Sequence, residues 1–143
     1  MNSLFNEYNG VFDEKVEEPK KNNGDFIFAY SPFALQDALG AKNAKNTWLE
    51  YQKLRFMGIE AEEIVHKIIS KVRDMTAITL GATKENLNIK NDYPYNKSKR
   101  DLKNWKLEDL KNLYTELVSS YHRSRLESGL SLDILIEKIL LKL

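Results

Sequence analysis

Read as apolar and polar positions, the chain is patterned from Ser31 onward and almost unpatterned before it. Phe33, Leu35, Ala38 and Leu39 predict a short helix that opens on the capping hydroxyl of Ser31, with Pro32 at its first position, and is ended by Gly40. From about Asn43 to Met57, Ala44, Trp48, Tyr51 and Leu54 recur at helical spacing, with Gly58 as the stop. A third helix begins with Glu60, Glu62 and Glu63, acidic residues that suit the positive end of a helix dipole. Its stripe is Ile64, Val65, Ile68, Ile69, Val72 and Met75, and it should end near Gly81. Between Gly81 and Pro94 the pattern lapses and asparagines accumulate, as in a surface connection. Lys97 to Lys103 reads as a short exposed helix around a lone Leu102, closed by Trp105. From Leu107 a long helix carries Leu110, Leu113, Tyr114, Leu117, Val118 and Tyr121 three and four residues apart, with Gly129 as its terminator. Ser131 caps the last helix and Asp133 sits in its first turn. Leu132, Leu135, Ile136, Ile139, Leu140 and Leu143 make its broad apolar face, with Lys138 and Lys142 at its negative end.

These segments, joined by short turns and free of any alternating strand pattern or internal repeat, predict an all-α fold, a single helical bundle of five to six helices over residues 31–143. Residues 1–30 read as a linker or tail, mostly irregular. Their apolar islands, Gly10-Val11-Phe12 and Phe26-Ile27-Phe28, either pair as short strands or dock on the helices. The stripes supply enough buried Leu, Ile and Val for one stable core, so no cofactor is needed to hold it.

Composition narrows the chemistry. The 143 residues contain no cysteine, which excludes disulfides, thiolate metal sites and cysteine nucleophiles and suits a reducing cytoplasm. No apolar run reaches the roughly 20 residues needed to span a bilayer, and Met1 is followed by polar residues rather than a basic and then apolar signal. A soluble, cytoplasmic chain is expected. A formal net charge of +1 gives no overall attraction to nucleic acid, so any such contact must come from a local patch. Lys97, Lys99, Arg100 and Lys103, with Lys106, Tyr93, Tyr95 and Trp105 nearby, form the one candidate. Composition alone favours a solvated face there.

Glu63 and His66 have the spacing of half a di-iron site, but Ser119 stands where the second histidine, His122, would need its carboxylate. Gly81-Ala82-Thr83-Lys84 lacks the first glycine and the spacing of a phosphate loop, and no glycine-flanked serine offers a nucleophile elbow. No catalytic, cofactor-binding or metal residues are therefore predicted. Arg123 and Arg125, two apart on one helix, point to different sides.

The words Pro32-Phe33-Ala34-Leu35-Gln36-Asp37-Ala38-Leu39-Gly40 and Lys42 to Trp48, then Gly58-Ile59-Glu60, Tyr93-Pro94-Tyr95, Trp105, Tyr121-His122-Arg123 and the closing Leu135 to Leu141, fall in a recognisable order. From Ser31 to Leu143 the chain resembles the C-terminal domain of the delta subunit of the bacterial DNA polymerase III clamp loader. The resemblance implies a helical collar that joins other clamp-loader subunits into a ring, acting in DNA replication as a non-catalytic subunit of the polymerase holoenzyme. DNA would be met only indirectly, through the complex, and no membrane is involved. Tyr121, Arg123 and Arg125 are the candidate interface anchors, since Arg and Tyr are enriched among interface hot spots. In full-length members the collar follows two AAA+-type domains, which residues 1–30 are too short to be, so the chain is expected to be a fragment or an unusually short reading frame. The other reading of the residues is a helical nucleic-acid-binding module using Tyr93 to Lys106.

Overall fold

A computed structural model of the protein describes Ser31 and residues 33–143. The expected linker at 1–30, with its apolar islands, lies outside the described residues, as does Pro32. Among the described residues six α-helices follow one another: α1 (Ala34–Gly40), α2 (Ala44–Phe56), α3 (Ala61–Thr79), α4 (Asp92–Asp101), α5 (Leu107–Leu126) and α6 (Leu132–Leu141). A 3-10 turn, Leu102–Asn104, extends α4. No strand occurs among the described residues, and the fold is the all-α bundle that the periodicity predicts.

α3 is the central element, in contact with α1, α2, α4, α5 and α6. Its stripe is buried along its length, from Ile64 and Val65 through Ile68, Val72 and Met75 to Ile78. Against it α5 sets Leu110, Leu113 and Leu117, α6 sets Ile136, Ile139 and Leu140, and α1 and α2 add Leu35, Leu39, Tyr51 and Leu54. This is one contiguous core, and each fully buried aliphatic side chain in it contributes about 1.5–3 kcal/mol. No helix among the described residues is long and apolar enough to cross a membrane.

Several boundaries differ from the sequence expectation. α1 starts at Ala34 with Phe33 as its N-cap and no side-chain cap, so Ser31 does not cap it. α1 does end at Gly40, as expected, but not through a left-handed glycine: Gly40 is helical and buried, and the left-handed residue is Lys42 (φ 57°). What Gly40 supplies is close approach, since a Cβ there would stand 2.0 Å from Asp101 Oδ2. Ser131 occupies the N-cap position of α6, but its hydroxyl caps nothing. By contrast, Asn43 does cap α2, accepting from the Asn46 amide at 3.0 Å. Gly58 (φ 91°) follows α2 as expected, where a left-handed residue closes the helix.

The basic segment is corrected most. The helix covers Asp92–Asp101 rather than Lys97 to Lys103, and it is not simply exposed, because Ser98 and Asp101 are buried against the bundle. It begins before Pro94, which stands in the first turn where a missing N–H breaks no helical bond. A purely apolar count misses this packing because the buried face of α4 is polar.

Candidate assembly surface

The last two turns of α5 carry the predicted anchors. The inner row of the helix ends in Leu117 and Ser120, both buried, and the next position on that side is Tyr121, half-buried against the core. The Tyr121 ring meets His66 of α3 edge-on, centroids 5.1 Å apart, and His122 at 5.7 Å. Four residues on, the Arg125 guanidinium lies 5.7 Å from the same ring, and its Nη1 donates to the Tyr121 hydroxyl at 3.2 Å. Arg125 also reaches Glu62 Oε2 on the first turn of α3 at 3.5 Å. Tyr121, His66, His122, Arg125 and Glu62 thus form one surface group, although the sequence spreads them over two helices.

Arg123 takes no part in it. Its guanidinium turns along α5 to Glu127 at 3.7 Å, so the two arginines do serve different sides. Both side chains are more than half exposed, and salt screens such pairs strongly.

Beside Arg125 a groove of about 400 Å³ opens between the start of α3, the end of α5 and the start of α6. Ser124 and Arg125 form one wall, Glu60 to Glu62 another, and Leu130, Leu132, Arg55 and Asp133 close it. The floor is a network the sequence reading did not find. Arg55 of α2 grips Asp133 with two parallel bonds, Nε to Oδ1 and Nη2 to Oδ2, each 2.8 Å, and its Nη1 donates to the Ile59 carbonyl at 2.9 Å. Tyr51, fully buried, donates its hydroxyl to Asp133 Oδ1 at 2.5 Å. Burial pushes the Tyr51 phenol far above its ordinary range, and the bond to Asp133 adds to this. Burial pushes Asp133 the other way from its partners, but the bonds from Arg55 and Tyr51 prevail and hold its carboxyl below the usual range. From sequence Asp133 is only a first-turn residue of the last helix; the signal for its partners is a tyrosine and an arginine one turn apart on α2, both on the side that faces α6.

The candidate nucleic-acid residues are divided by the fold. Lys97 is drawn inward, its Nζ 2.6 Å from Asp37 Oδ1, 4.9 Å from the Tyr93 ring and 5.5 Å from Phe33. Burial would lower its pKa, yet Asp37 and Tyr93 outweigh it and the ammonium titrates above its usual range. Arg100 Nη2 lies 3.3 Å from Asp101 Oδ1. Lys99 and Lys103, one turn apart, stay exposed.

Glu63 and His66 both stand in solvent on α3, and no three His, Cys, Asp or Glu side chains among the described residues converge as metal ligands would. Comparison of the chain with protein-family models, with curated proteins and with solved structures finds no match.

Proposed function

We propose that residues 31–143 are a subunit-assembly domain of the delta-collar type, which packs helix faces against other clamp-loader subunits in DNA replication and performs no catalysis itself. The observation that carries this reading is the group on α5: a half-buried tyrosine with an arginine beside its ring and bonded to its hydroxyl, the arginine lining a groove framed by three helices. Such a pair offers large contact area at small entropic cost, which is what interface anchors need. The ion pair of Arg125 with Glu62 is exposed and screened, so a partner carboxylate can replace Glu62 at little cost while Tyr121 still holds the guanidinium. The resemblance of the chain's helical words to the delta collar names the partners as other clamp-loader subunits and the compartment as the cytoplasm. Mixing the purified chain with those subunits tests it: co-elution at micromolar concentration is expected, and persistent separation argues strongly against it.

A second reading, nucleic-acid binding by the outer face of α4, has the exposed Lys99 and Lys103 in its favour. Titration with single- and double-stranded DNA at two salt concentrations separates the two readings, because phosphate contacts require a steep salt dependence.

A further inference from the structure

Every other helix of the bundle docks through apolar rows, but α4 does not. Its buried side chains are Ser98 and Asp101, and none of the buried core residues lies in it. Facing it in the middle of the α3 stripe, between Ile68 and Met75, stands Lys71. Its Nζ is 3.0 Å from Asp101 Oδ2 and 3.3 Å from Ser98 Oγ, and both ion-pair side chains are only 6% exposed. Gly40 of α1 leaves the space in which that carboxylate sits. On the 3-10 turn, Asn104 Nδ2 donates to the Gly40 carbonyl, and the adjoining Trp105 Nε1 to that of Leu39, each at 3.1 Å. Both carbonyls lie in the last turn of α1; that of Leu39 also accepts from the Lys42 amide at 2.9 Å, and Trp105 belongs to the buried core, so of these two bonds the Asn104 one alone is made by Asp92–Asn104. At the other end Tyr95 donates to the Ala82 carbonyl at 3.4 Å and Lys97 pairs with Asp37.

We propose that Asp92–Asn104 is a strap that opens from the bundle as one unit, with the Lys71–Asp101 pair as its latch. The desolvation of a buried ion pair offsets most of its Coulomb attraction, so the latch fixes where the strap sits while adding little net stability. A helix of 10 residues is marginal on its own, so release of the polar pins and melting of α4 are one event. Because α4 contributes no buried core residue and the strap's apolar contact with the core cluster is the partly buried Leu102, the seam shared by α3, α5 and α6 stays closed when the strap leaves. The connection into the strap already contains left-handed residues, Gly81 (φ 98°) and Asn88 (φ 57°), and no buried apolar anchor. Opening uncovers Lys71 and releases Lys97 from Asp37, which adds a cation to the already exposed Lys99, Arg100 and Lys103. This does not depend on the assembly reading.

Hydrogen exchange of the full chain under native conditions, read by mass spectrometry, tests it. The amides of 95–104 are expected to exchange through one shared opening well before those of α3 and α5. Asp101→Asn, which leaves the lysine uncompensated, should speed exchange across the strap on the order of a hundredfold and leave α3 and α5 unchanged. Asn104→Ala removes one pin at the strap's end and should speed the same amides about fivefold. Exchange of the strap in step with α3 and α5 in the unaltered chain overturns the proposal. So does acceleration spread equally over α5 in either variant, or an Asp101→Asn chain that no longer folds, since a latch confined to the strap leaves the core standing.

Discussion

At the scale of single residues, the positions that matter most are those where a small or polar side chain meets a specific neighbour. Gly40 is one: any Cβ would press into the Asp101 carboxylate, which cannot yield without leaving Lys71. Gly40→Ala is therefore expected to destabilise by about 2–4 kcal/mol in urea unfolding, although alanine is the better helix former by propensity. The helix caps give a sharper contrast. Asn43→Ala should cost about 1 kcal/mol because its side chain holds the Asn46 amide, whereas Ser131→Ala should stay within about 0.5 kcal/mol because its hydroxyl holds none. From sequence Ser131 is the expected cap and Asn43 only the approximate start of its helix; the direction of each side chain reverses the two. Lys71 had a sequence signal, a lysine in step with Ile64, Ile68 and Met75 on the α3 stripe, but its partner Asp101 is 30 residues away and is not implied by any local spacing.

At the scale of elements, α2 and α6 are tied by Tyr51, Arg55 and Asp133, with Gln52 donating to Glu137 at 2.8 Å alongside. The Asp133 carboxyl titrates below its ordinary value of 3.8 in the folded chain. Above that value the bonds to the carboxylate contribute in full; as pH falls through the lower folded value the proton is taken up and the contribution is lost. Unfolding midpoints measured between about pH 2 and pH 6 should thus fall on the acid side, and Asp133→Asn should flatten that fall while lowering stability at neutral pH. The helices themselves were legible because α3, α5 and α6 bury apolar rows at a regular spacing. α4 was misplaced for the same reason turned around, since the face it buries is polar and leaves no apolar period to count.

At the scale of the whole molecule, stability and assembly are expected to separate. Leu117, fully buried on α5, belongs to the shared core, and Leu117→Ala should cost about 2–5 kcal/mol of unfolding free energy. Tyr121→Ala and Arg125→Ala together should weaken binding to partner subunits at least about tenfold, while Arg125→Ala alone leaves the unfolding midpoint nearly unchanged, since its bonds are exposed. Calorimetric titration and urea unfolding on the same samples distinguish the two effects. By itself the sequence determined the helical class, the order of the elements and most of the core, because burying an apolar stripe is a local, periodic requirement that each helix states alone. The absence of cysteine likewise follows from composition and needs no fold. Only the tertiary structure decided that Lys97 turns inward to Asp37, that Tyr121 gathers Arg125 and two histidines, and that a strap is pinned over α3 by a buried ion pair. The reason is physical: polar contacts are set by distance and direction between residues far apart in the chain, and a buried charge takes whichever partner the packing brings within about 3 Å.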